Sequence, residues 1–240
     1  MLATRGGLTV LAAQVTVVAL FAVIGAAYLI IASAQTSAPA PPVPDHKITT
    51  IPATLDRACR RGRATLYDEC SDQLAVFETG TKRAAAEGKV PLVSYGAEWC
   101  IWCHVFANYI HGGTTRFEYT YGSPEAPEAR QTSTIYERAK QDVSAEAAAL
   151  SAYVGSSFVV VHIDVQYAPN GHAVMEKTGA APFWEGGIPF IFTVDREARY
   201  AAHLDHDAVE VRRDTYDWYR GFDRRRLVAE LQRMHDAASR

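Results

Sequence analysis

The first long feature of the pattern is a run of apolar positions with neither helical nor strand alternation. Residues 8–31 carry no charge, and 20 of these 24 residues are apolar or aromatic. As a helix rising about 1.5 Å per residue, the run spans roughly 36 Å, enough for a hydrocarbon layer of about 30 Å. Arg5 precedes it and the next charge is Asp45. The positive-inside rule therefore places residues 1–7 in the cytoplasm and everything after the run outside, as a single-pass cell-membrane protein with its C-terminal body on the periplasmic or extracellular side. A cleaved signal peptide is the alternative: Ala32-Ser33-Ala34 before Gln35 has the form of an A-x-A site, and cleavage there yields a secreted protein. The run exceeds the usual apolar region of about 7–15 residues, which favours an uncleaved transmembrane anchor. Residues 32–54 follow as a Pro/Ala-rich linker, with a TSAPAPPVP stretch suited to extended polyproline II.

From residue 55 the pattern changes to short apolar runs alternating with amphipathic stretches, and 55–240 reads as one α/β domain. The spacing predicts a helix over 66–87 stopped by Gly88, a strand over 90–95, and a helix starting near Cys100. An Ala-rich helix over 144–153 precedes the apolar strand 158–163, and 172–178 suits a short helix. Residues 189–194 and 199–204 read as two strands joined by a turn. Leu227, Val228, Leu231, Met234 and Ala238 form a terminal helical stripe, with Asp223 as N-cap and Phe222 with Leu227 as a hydrophobic staple. Two polar, aromatic-bearing stretches, an insertion near 112–140 and the segment 205–221, read as functional loops.

Charge changes the picture little. The chain carries −3 overall, and without Arg5 the exported part carries −4, which argues against nucleic acid as a partner. Arg57, Arg60, Arg61 and Arg63 read as a solvated basic surface. Of the four cysteines, Cys59 and Cys70 default in an oxidising compartment to a structural disulfide, a second redox relay being the sharper alternative.

Cys100-Ile101-Trp102-Cys103 holds the chemistry. Two cysteines three apart at a helix start share one face, and the first points its sulfur at the unpaired N–H groups of the helix N-terminus, which favour thiolate. Cys103 is then placed to attack a mixed disulfide formed on Cys100. With a strand before the pair and a helix after it, the stretch 84–93 followed by Ala97-Glu98-Trp99-Cys100 resembles the thioredoxin-like superfamily. It is most similar to exported members such as the C-terminal domain of the membrane disulfide reductase. Gly187-Ile188-Pro189-Phe190-Ile191-Phe192 resembles the strand that opens with the family's cis-proline. The resemblance covers about half of the chain. It implies a thioredoxin-like fold, a central mixed sheet flanked by helices, here with the long insertion after the active-site helix. It implies a thiol–disulfide oxidoreductase acting on protein thiols and disulfides, in the reductase or isomerase direction, with electrons from a membrane donor and no cofactor. Cys100 and Cys103 are then catalytic, while Trp99 shields the disulfide and Ile188 and Pro189 shape the substrate edge. The chain departs from the family at Ser94, where a buried Asp often stands six residues before the first cysteine; proton handling then falls to Glu98 or to water. Ile101-Trp102 also differs from the Gly-Pro of thioredoxin itself.

Three alternatives stay open. Cys100-Ile101-Trp102-Cys103-His104 spells C-x-x-C-H, the attachment motif of c-type haem, with His104 as an axial ligand. A copper or zinc carrier would join the two cysteines to His162, His203 or His206, although His162 reads equally as a paired core histidine. A non-catalytic interaction module would keep the pair as a stable disulfide.

Overall fold

The computed structural model describes residues 47–240 apart from 57, 60–63, 115–116, 121–131, 136–139, 142–143 and 214–217. The apolar run 8–31 expected to be a membrane anchor, most of the stretch read as linker and the arginines Arg57, Arg60, Arg61 and Arg63 lie outside the described residues. Among those described, no helix is long and apolar enough to cross a membrane.

Five strands form one mixed sheet in the order β1–β7–β2–β8–β9. These are β1 (Thr49–Ile51), β2 (Val90–Gly96), β7 (Phe158–Asp164), β8 (Phe190–Val194) and β9 (Tyr200–His203). β1 and β2 run parallel to β7, whereas β8 is antiparallel to β2 and to β9. β7, apolar enough from its sequence to sit at the sheet's centre, is one place removed: β2 takes the middle and β7 lies between it and the β1 edge. β1 is a strand of the sheet within the stretch 32–54 read as linker. Three residues of edge strand are too short to stand out from the surrounding polar composition.

Every residue of β2, β7 and β8 is buried, as expected of strands covered on both faces. Leu92, Val160 and Ile191 on one face join a core with α2 (Ile101–Ile110), α3 (Ala145–Ser157) and α6 (Arg224–Ala238). Val93, Val161 and Phe192 on the other pack with α1 (Gln73–Glu87) and α4 (Gly171–Thr178). This is an α/β architecture of a mixed sheet with flanking helices, compatible with a thioredoxin-like fold.

Helix ends follow local chemistry. Ser144 and Asp223 cap α3 and α6 through their side chains, accepting from Ala147 N and Arg226 N. Phe222 and Leu227 sit in one core cluster, as the staple requires. The helix predicted over 66–87 is shorter. Asp68 Oδ1 accepts from the N–H groups of Cys70 and Ser71, and Asp72 caps at Leu74 N, so two aspartates satisfy the backbone outside the helix and delay its start to Gln73. The two stretches read as loops hold paired strands. β3 (Gly113–Thr114) pairs with β6 (Lys140–Gln141), and β4 (Phe117–Thr120) with β5 (Thr132–Ile135). A short α5 (His206–Val209) leads into the hairpin β10 (Glu210–Arg213) and β11 (Trp218–Phe222).

Candidate active site

The site forms where β2 ends and α2 begins. Cys100 is the N-cap of α2, and its sulfur accepts the N–H of Cys103 at 3.2 Å. The sulfur thus shares the Cys103 N–H with Cys100 O at the positive end of the helix, an environment that favours thiolate. Cys100 and Cys103 are joined as a disulfide, as are Cys59 and Cys70. Cys100 is 2% exposed and Cys103 fully buried.

Tyr67, Ala97, Cys100 and Cys103 make one buried cluster, with Leu66, Trp102, Val165 and Ile188 packed against it. The Ile188–Pro189 peptide is cis, and so is Ile51–Pro52. Ile188 packs against the cluster that holds the cysteines. Trp99 is 61% exposed, its indole N–H donating to Gln166 Oε1. Trp102, the second residue of α2, packs against the cluster. Trp102, Ile188 and Pro189 also line an open groove of about 1240 Å³, continued by Phe183, Trp184 and Tyr200. Phe183 stacks on Tyr200 with ring centroids 4.1 Å apart, and Trp184 Nε1 donates to Gly187 O at 2.7 Å, holding the turn before Pro189.

Glu98 is a structural hub. Its carboxylate accepts from Thr65 N, Thr65 Oγ1, Leu66 N and Tyr67 N at 2.7–2.9 Å. Burial works against its charge, but the hydrogen bonds from Tyr67, Thr65 and Leu66 outweigh this and hold the pKa below the ordinary carboxylate value. It fastens the loop after Cys59 onto the site, with both oxygens engaged. His104 Nε2, which a haem ligand would need free, donates to Glu98 O at 2.6 Å.

Behind Cys103 lies a buried polar floor that sequence reading did not find. Ser94 Oγ and Tyr67 Oη are hydrogen-bonded at 2.9 Å. His162, opposite Ser94 in the β2–β7 ladder, sets its ring edge-on to Tyr67 at 5.2 Å. Read from sequence as a paired core histidine, it has neither ring nitrogen partnered among the described residues. Burial, then His111 and His104, push its pKa down to about 3. Asp164, opposite Gly96, accepts three loop N–H groups on Oδ1, while Oδ2 is buried and has no partner among the described residues. The one clue in the sequence to Tyr67 was its place between Cys59 and Cys70, whose bridge ties that loop to the body.

Among the described residues no cluster of three or more His, Cys, Asp or Glu is arranged to hold a metal ion. His203 and His206 lie instead along the groove. No family model matches the chain, and no curated protein matches it significantly.

Proposed function

We propose that the chain is an exported, membrane-anchored thiol–disulfide oxidoreductase of the thioredoxin-like superfamily, exchanging disulfides with protein substrates through Cys100 and Cys103. One observation carries the reading: Cys100 Sγ caps the helix that presents Cys103, while Ile188, joined to Pro189 by a cis bond, packs on the cluster that holds the pair. The sheet order and the groove beside Pro189 support it further.

In the reducing direction the Cys100 thiolate attacks a substrate disulfide and one substrate sulfur leaves as a thiolate. Cys103 then attacks Cys100 Sγ, the mixed disulfide breaks, and the second substrate sulfur departs as the Cys100–Cys103 bond forms. Two electrons pass from the cysteine pair to the substrate, and a membrane donor restores the pair. The backbone beside Ile188 offers an extended substrate segment a pairing edge.

The burial of both sulfurs favours one second reading, an interaction module whose disulfide never opens. Replacing Cys103 with Ala in the full-length chain separates the two. Mixed disulfides trapped on Cys100 in cells are expected; a pair whose redox state never changes, with no partner trapped, sinks the enzyme reading.

A further inference from the structure

Cys103 must shed a proton to resolve the mixed disulfide, and it does so in a fully buried pocket. The strand residue on the pocket floor is Ser94, and Glu98 has both oxygens engaged with the 65–67 backbone. We propose that the Tyr67 hydroxyl, steadied by Ser94, is the hydrogen-bond donor that stabilises Cys103 as a thiolate during the resolving step. The proposal rests on the exchange reading above.

Three observations carry it. A methyl placed on Gly96 would lie 2.5 Å from Tyr67 Oη and 2.6 Å from Cys103 Sγ, so hydroxyl and sulfur border the same small space. Tyr67 and both cysteines belong to one buried cluster. Tyr67 Oη is bonded on its far side to Ser94 Oγ; when Ser94 donates, the phenolic proton is free for the sulfur.

The surroundings keep that proton in place. Burial, opposed by the Ser94 hydrogen bond and reinforced by the charges of Glu98 and Asp164, raises the phenol well above its ordinary value. His162 on β7 stays neutral, and His104 on α2 is turned to Glu98. Tyr67 therefore donates and is not consumed. Cys103 Sγ bonds to Cys100 Sγ, the bond from Cys100 to the substrate breaks, and its electron pair leaves on the substrate sulfur. The proton lost by Cys103 ends there, so the substrate departs as a thiol.

The test uses the full-length chain with Cys100→Ser, cysteine Cβ labelled with carbon-13, titrated by NMR alone and with Tyr67→Phe or Ser94→Ala added. Tyr67→Phe is expected to raise the Cys103 pKa by about one unit, a tenfold loss of thiolate at a given lower pH. Ser94→Ala should move it the same way by less. With both active-site cysteines restored, Tyr67→Phe should slow substrate release about tenfold, more than capture by Cys100, since thiolate fraction limits that step. An unchanged Cys103 titration in a variant that keeps its thermal transition, or equal slowing of both steps, overturns the proposal. If Tyr67→Phe does not fold, the Ser94→Ala titration decides alone. A wild-type chain that captures no disulfide would remove the exchange reading, whereas the Cys103 titration still reports whether Tyr67 acts on that sulfur.

Discussion

At Gly96 the chain omits a side chain where Tyr67 and Cys103 both need the volume. Gly96→Ala forces one of them aside in a fully packed pocket, and such overpacking costs about 1–3 kcal/mol. Urea unfolding of oxidised protein should show that loss, and an unshifted midpoint would mean the pocket yields freely. His162 makes a different prediction. Its ordinary pKa of 6.5 falls to about 3 in the folded protein, through burial and then the neighbouring His111 and His104. Between those values the unfolded chain binds a proton that the folded one refuses. The stability it preserves is complete above about pH 6.5 and declines towards pH 3, by up to about 1.4 kcal/mol per pH unit. His162→Leu removes this site from the balance. The variant should lose less stability than wild type between pH 7 and 4.5, and parallel losses would contradict the assignment.

The elements around the site are held by contacts of different reach, and this decides how much of them the sequence reveals. Segment 65–67 hangs on Glu98, more than thirty residues ahead in the chain. Glu98→Gln keeps one acceptor oxygen but loses the charge and leaves donors unpaired, a cost of about 1–3 kcal/mol. Amide exchange at Leu66 and Tyr67 should quicken while that of β2 stays slow. Because the pKa of Glu98 is lowered by folding, its contribution is present above the unfolded carboxylate value and lost as pH falls through the folded one. β2, β7, β8, α2 and α6 were legible because their signals are local: unbroken apolar runs, an apolar stripe, a side-chain cap, a cysteine at a helix start. The cysteine pair and Pro189 were legible for the same reason. The start of α1 was misplaced because Asp68 and Asp72 compete for the backbone in a stretch of helical composition. Tyr67 and the exposed side of Trp99 stayed hidden, since each depends on a partner distant in sequence.

For the molecule as a whole, the sheet supplies the rigid frame and the Cys59–Cys70 bridge secures the loop that completes the site. The bridge spans 11 residues, and closing a loop of that size in the unfolded chain contributes about 3 kcal/mol. A Cys59→Ser/Cys70→Ser double variant should unfold at correspondingly lower denaturant and retain the Cys100–Cys103 bond. It should also show raised amide exchange from 64 to 71, and protection equal to wild type there would deny the bridge its securing role. Four cysteines can be joined in three ways, and only the observed way keeps both bonds short-range, 11 and 3 residues apart. Either other pairing joins the loop directly to the first turn of α2. It consumes Cys100 and Cys103 in separate bonds. Shape and reactivity are therefore won or lost together during oxidation: a misbridged molecule has no nucleophile to repair itself, and its correction falls to another thiol.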